Sequence, residues 1–183
     1  MNKKNSIQIH FIDPAAAVNQ LEIAEGNVAA DFGCGAGYFS IPVAQKVGKD
    51  GTVYSMDVLP QALESVASKA KVAGLTNIIT KRVNLENNNG SGLDPESIDW
   101  VIIKDILFQN DGKDKILEEA YRVLKPGGKA LVMEWDDKNL SVGPAAKLRV
   151  SKDTLIGLIK KHKFSIEKEV AVGDFHYAMI LNK

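Results

Sequence analysis

Apolar residues fall along this chain in two rhythms. Short, largely apolar runs at residues 28–32, 52–56, 77–83, 98–103 and 129–135 predict five strands, and the run at 98–103 is apolar enough to be covered on both faces. Between the runs, apolar positions recur three and four apart, as at Leu63, Val66, Ala67 and Ala70, and helices are expected at 38–47, 60–73 and 113–124. Asp13-Pro14 reads as an N-cap with proline at the first helical position, opening a helix that reaches Ile23. Ser151 caps another helix through Lys161. Residues 164–171 and 175–181 are two more strands, and only Val172-Gly173-Asp174 separates them, which predicts an antiparallel hairpin. Pro126-Gly127-Gly128 reads as a turn, and residues 136–150, with Gly143-Pro144, read as a loop.

Strands alternating with helices imply a parallel sheet covered on both faces. The expected fold is therefore α/β: a doubly wound, mostly parallel seven-stranded sheet with a C-terminal antiparallel hairpin and helices on both faces. Residues 14–183 form one domain in this reading. Residues 1–13 are an N-terminal arm, either a lid over the site or a frayed terminus. Ligands of such sheets sit at the carboxyl ends of the strands. Asp31, the glycine turn after it, Asp57, Asn84 and Lys104-Asp105 would all lie along that edge.

Composition narrows the field. The 183 residues suit one domain, and 23 basic against 23 acidic residues give zero net charge. That balance carries no strong nucleic-acid signal and no signal for an anionic membrane. Cys34 is the single cysteine, so no intramolecular disulfide or cysteine-based zinc site is expected, and a reducing, cytoplasmic setting is. No pair among His10, His162 and His176 has metal-ligand spacing, so no metal is expected. The polar start Met1-Asn2-Lys3-Lys4-Asn5 predicts no signal peptide, and no apolar run reaches the ~20 residues of a membrane span. The sequence says nothing of oligomeric state.

The chemistry concentrates in Val28-Ala29-Ala30-Asp31-Phe32-Gly33-Cys34-Gly35-Ala36-Gly37-Tyr38. Glycine reaches φ > 0 at little cost and lets a ligand approach the backbone. A nicotinamide or flavin dinucleotide is the first rival, but in G-x-G-x-x-G the third glycine would fall on Tyr38. A carboxylate two residues ahead of the turn would repel a pyrophosphate and attract an ammonium or sulfonium.

This stretch resembles the cofactor motif of class I S-adenosylmethionine-dependent methyltransferases. Tyr54-Ser55-Met56-Asp57 is similar to their acidic ribose-binding position, and the run from Glu118 to Gly128 to their helix and turn before the fifth strand. The closing hairpin agrees as well. Within the family, the chain is most similar to the quinone-biosynthesis and small-molecule methyltransferase group. The resemblance implies S-adenosyl-L-methionine as cofactor and S-adenosyl-L-homocysteine as product.

Site roles follow from that resemblance. Asp31 would hold the glycine loop near the cofactor's amino group. Gly33, Cys34, Gly35, Gly37 and Tyr38 would cradle the methionine and ribose parts. Asp57 would accept the ribose hydroxyls, with Val58 beside the adenine. Asn84 stands where the family often has aspartate and can accept the adenine amino group through its carbonyl oxygen, with Leu85 offering a backbone N–H. Lys104 would contact the cofactor through its backbone. Asp105 is the best candidate for a polar role at the substrate and His10 a weaker one. Glu134 to Asp137 could line the substrate site. His162 and His176 read as a solvated helix end and a structural residue.

The reading is methyl transfer to a small-molecule substrate by in-line displacement. Two alternatives stay open: an RNA or protein methyltransferase, which a basic patch around Lys147, Arg149 and Lys152 would favour, and a non-catalytic S-adenosylmethionine-binding protein.

Overall fold

The computed structural model describes residues 9–138 and 142–183. Its elements run α1 (Pro14–Asn19), β1 (Val28–Phe32), α2 (Ser40–Val47), β2 (Thr52–Asp57), α3 (Pro60–Val72), β3 (Ile78–Arg82), β4 (Ile98–Lys104), α4 (Lys113–Val123), β5 (Leu124–Trp135), α5 (Lys152–Lys161), β6 (Ser165–Val170) and β7 (His176–Asn182). The strands form one sheet in the order β3-β2-β1-β4-β5-β7-β6. The first five are parallel; β7 runs antiparallel to both β5 and β6. The hairpin does not simply extend the sheet, because β7 enters between β5 and β6.

Alternate residues of each central strand feed opposite cores. On β4, Val101 and Ile103 face α4 and α5 with Ile116, Leu117, Leu155 and Ile159. Trp100 and Ile102 face α1 and α2 with Val18, Val43 and Val47. This two-sided burial explains why β4 reads as an unbroken apolar run.

Two elements depart from the sequence reading. The first helix ends at Asn19, short of Ile23, because the chain leaves it to carry Leu21 and Ile23 into the core. Lys46 holds the exit: its Nζ donates to the carbonyls of Val18, Leu21 and Asn19 at 2.9, 2.6 and 3.4 Å. Pro126-Gly127-Gly128 is not a turn ahead of a strand but a bulge inside β5, where the register passes from Ile98↔Leu124 to Trp100↔Lys129. Gly127, at φ 76, supplies the left-handed residue that the bulge needs. Ser151 caps α5 as expected, accepting from the Thr154 amide. Among the described residues, no helix is long and apolar enough to cross a membrane.

Candidate functional site

The carboxyl ends of β1, β2 and β4 open onto a cavity of about 950 Å³. That volume suits a small organic ligand. Asp31, Gly33, Cys34, Gly35, Tyr38, Asp57, Val58, Asn84, Leu85, Lys104 and Asp105 all line it. Gly37 and His10 do not.

The loop between β1 and α2 has Gly33, Gly35 and Gly37 at φ 71, 51 and 79, conformations that side-chain-bearing residues resist. Each does a different job. A Cβ on Gly33 would lie 2.2 Å from Cγ2 of Ile106, so Gly33 is a packing requirement. A Cβ on Gly37 would meet Val66 of α3 at 2.9 Å, so this glycine seats the loop on the helix behind it. A Cβ on Gly35 would meet nothing within 4 Å: it is the open rung of the loop.

The two acids are anchored differently. Asp57, at the end of β2, holds the loop by accepting the Gly35 amide on Oδ2 at 3.0 Å, and it accepts the Leu59 amide on Oδ1, also at 3.0 Å. Each oxygen keeps a further lone pair for a ligand. Asp31 instead accepts the Ser40 hydroxyl at 2.6 Å at the start of α2. Burial pushes Asp31 up to about 6, against the opposing pull of Ser40. It remains mainly ionised at neutral pH, a negative charge in a wall where a pyrophosphate binder would present the opposite sign.

Other cavity residues follow from local geometry. Asn84 accepts the Glu86 amide on Oδ1 at 2.9 Å, an Asx turn that fixes its side chain after β3. Tyr38, Val58 and Leu59 are exposed apolar residues at the mouth. Burial and the nearby charges of Asp31 and Asp57 push the Cys34 thiol far above its usual range, which removes it as a nucleophile. A lysine that sequence reasoning passed over steadies the loop: Lys69 of α3 donates to the Ala36 carbonyl at 2.7 Å and sits 4.4 Å over the Tyr38 ring.

The far wall holds what the sequence hid. His176 is the first residue of β7 and is the register partner of Trp135 on β5. Because β7 is antiparallel, its first residue reaches the edge where β4 and β5 end. The His176 ring lies against Trp135, centroids 4.0 Å apart and planes tilted by 39°, and Nε2 lies 3.1 and 3.2 Å from the two oxygens of Asp105. Lys104 Nζ pairs with the same carboxylate. His176 therefore belongs to the cavity wall rather than to the scaffold alone. Glu134 is fully buried behind this wall, accepting the Leu107 amide at 2.8 Å, and burial pushes it up to about 8.

His10 is exposed and faces the β6–β7 turn. Its amide donates to Asp174 Oδ2 at 2.7 Å, and the Asp174 amide donates to its carbonyl at 3.0 Å. This pairing leaves Phe11 against Phe175, centroids 5.4 Å apart, and both rings line the cavity. His162 is no solvated helix end: its Nε2 lies 2.6 Å from Asp114 Oδ1, tying α5 to α4. Of the basic residues at 147–152, Lys147 is exposed and the other two are engaged within the chain. Arg149 is buried, donates to the carbonyls of Pro144, Asp136 and Val142 and lies 5.6 Å over Trp135, while Lys152 pairs with Glu169 at 2.6 Å. Among the described residues, no group of three His, Cys, Asp or Glu side chains could hold a metal ion.

Comparison with known proteins agrees with this architecture. A demethylmenaquinone methyltransferase of Shouchella clausii is 29% identical over 144 residues, which are 78% of this chain and 59% of that protein. A ubiquinone/menaquinone biosynthesis C-methyltransferase of Hydrogenovibrio crunogenus is 31% identical over 135 residues, 74% of this chain and 52% of that protein. The chain thus spans between half and three-fifths of the length of these curated relatives. Among solved structures, a SAM-dependent methyltransferase from Aquifex aeolicus superposes with a TM-score of 0.85 at 22% identity, covering 94% of this chain and 90% of its own. The [4+2]-cyclase SpnF superposes with a TM-score of 0.79 at 14% identity, covering 97% and 88%. These likenesses show a shared fold, and the cyclase shows that the fold alone does not name a reaction. A family model described as "Methyltransferase domain" matches residues 23–175, and the chain belongs to that family.

Proposed function

We propose that the chain transfers a methyl group from S-adenosyl-L-methionine to a small-molecule acceptor, releasing S-adenosyl-L-homocysteine. The observation that carries this reading is the pair of carboxylates ending β1 and β2, Asp31 and Asp57, on either side of the open rung at Gly35. This lining suits a cationic amino acid joined to a nucleoside. Asp57 would take the ribose hydroxyls on its remaining lone pairs, and Val58, Leu59 and Leu85 offer apolar surface for a purine. Asn84 would meet the purine's polar edge. Asp31, Cys34 and the backbone around Gly35 would hold the amino-acid end, with Lys104 and Asp105 beyond it.

S-adenosylmethionine supplies a methyl group on a sulfonium, already an excellent leaving group. What this chain must do is align an acceptor with it and keep water away. The rings of Phe11, Phe175 and Trp135 form an apolar wall for that purpose. We infer that residues 9–12 act as a lid strap latched to the hairpin turn through Asp174; residues 1–8, the rest of the expected arm, lie outside the described residues. The relatives' names speak of demethylmenaquinone and of ubiquinone/menaquinone biosynthesis, and a quinol-type acceptor suits an aromatic wall.

Calorimetry with S-adenosylmethionine, S-adenosylhomocysteine and NADH tests the donor. Micromolar binding of the first two without NADH binding is expected; preference for NADH overturns the reading. Formation of S-adenosylhomocysteine over a panel of quinols, phenols, amines and bulk RNA tests the acceptor, with quinols or phenols expected to respond. Turnover confined to RNA would overturn the small-molecule assignment.

A further inference from the structure

The donor half of the cavity does not explain the arrangement around His176. Three strands converge there by topology: β4 and β5 end, and β7 begins. The His176 side chain is only 6% exposed, yet it lines the cavity. It is fixed on two sides, by Trp135 against its ring and by the Asp105 carboxylate at Nε2.

Asp105 is itself held under constraint. It is one of the few non-glycine residues with positive φ, at 55. Its amide donates to the Met133 carbonyl at 3.0 Å, Gln109 Nε2 donates to its carbonyl at 2.5 Å, and Lys104 pairs with its carboxylate. A left-handed backbone conformation persists where the surroundings over-determine it, and such outliers cluster at functional sites. Here the result is a carboxylate aimed at an imidazole that lines a ligand cavity. A carboxylate accepting Nε2–H fixes the neutral tautomer and leaves Nδ1 as the ring's remaining lone pair. A base set by a third group in this way is the constellation that activates a proton-bearing nucleophile.

We propose that His176 is the general base for a hydroxyl-bearing aromatic acceptor, with Asp105 as its positioning residue; this rests on the methyl-transfer reading above. In the step, the acceptor's O–H bond breaks and its proton passes to Nδ1 of His176. The freed oxygen pair forms the new O–CH₃ bond, and the C–S bonding pair returns to the donor sulfur. The proton then leaves to solvent. The apolar flank of Trp135, Phe175 and Phe11 suits the acceptor's ring, and a hydroxyl that must ionise in such surroundings needs a base. The charged and titratable groups around His176 are Lys104 at the end of β4 and Asp105 just after it, Glu134 of β5 and Asp136 just after that strand, Arg149 over Trp135, and Asp174 and Tyr177 from the hairpin.

The test uses the whole chain with ¹⁵N-labelled histidine, loaded with S-adenosylhomocysteine and then with 1-naphthol as acceptor probe. The expected result has three parts. The His176 ring is protonated at Nε2 in the wild type; 1-naphthol shifts its Nδ1 resonance; and Asp105→Asn replaces the single tautomer by a mixture. In turnover, His176→Gln lowers kcat by about 10²–10⁴-fold and removes the acid limb of the pH–rate profile, with donor affinity within twofold of wild type. A ring protonated at Nδ1, an Nδ1 resonance that ignores 1-naphthol, or a variant that keeps its kcat and pH profile overturns the proposal. The tautomer is read on the wild type, so a variant that fails to fold does not shield it. Failure of the methyl-transfer reading shows separately, as absence of S-adenosylhomocysteine binding.

Discussion

The amide of Gly35 donates to Oδ2 of Asp57 across 3.0 Å, so the acid ending β2 holds the loop that follows β1. In the proposed donor site, loop position and nucleoside recognition would share one carboxylate. Asp57→Ala removes both at once. Donor affinity measured by calorimetry should fall by about 10²–10³-fold, the equivalent of two charge-assisted hydrogen bonds, while the circular dichroism of the fold persists. Wild-type affinity in this variant would remove Asp57 from the site.

Gly33 and Gly35 stand two residues apart and should respond oppositely to alanine. At Gly33 the added methyl collides with Ile106, so Gly33→Ala should lose roughly 2–5 kcal/mol in urea unfolding. At Gly35 only the φ penalty applies, about 1–2 kcal/mol, but the methyl enters the ligand's space. Gly35→Ala should therefore remain folded and lose donor binding. Equal stability losses in the two variants would contradict the division of labour.

Glu134 gives the fold a predictable response to pH. Its carboxyl titrates near 8 when folded, against an ordinary value of 4.5. Between those values the folded state holds a proton that the unfolded state releases, so stability falls as pH rises from about 4.5 to 8 and then levels. Glu134→Gln keeps an acceptor for the Leu107 amide and has no proton to lose. The variant should match wild type near pH 4.5 and exceed it at pH 9 by on the order of 2–4 kcal/mol in thermal or urea unfolding. Asp31 titrates unchanged in both proteins, so the difference isolates Glu134. Parallel stability curves would refute the assignment.

The strap proposed for residues 9–12 would depend on Gly173. At φ 87, a Cβ there would lie 2.7 Å from the His10 carbonyl, the atom that accepts the Asp174 amide. Gly173→Ala should detach residues 9–12, seen as faster cleavage at Phe11 in limited chymotrypsin digestion and several-fold weaker retention of ligand. An unchanged digestion pattern would mean the strap is held by other contacts.

Legibility in the sequence followed the range of each interaction. The glycine loop, Asp57 and the Ser151 cap announce themselves within a few residues, through spacing and backbone demand. The seven-stranded, mostly parallel sheet was legible too, because each strand carries its own pattern. His176 gave no such signal. Its partner Asp105 is 71 positions away, and only the entry of β7 beside β5 unites them. Lys69 looks like any surface lysine of an amphipathic helix until α3 sets it beside Ala36 and Tyr38. The glycines of the β5 bulge were misread because a bulge and a turn ask for the same residues.

The place of β7 also decides what covers the edge of β5. β6 precedes β7 in the chain but cannot reach β5 except through it. Until β7 docks along Lys129 to Trp135, β5 presents an unpaired edge flanked by Leu131, Val132 and Met133, the kind of edge that recruits strands from other molecules. The strand that closes this edge also delivers His176, with Phe175 just ahead of it. In a chain whose β7 has docked, one pairing both covers that edge and brings Phe175 and His176 into the cavity wall.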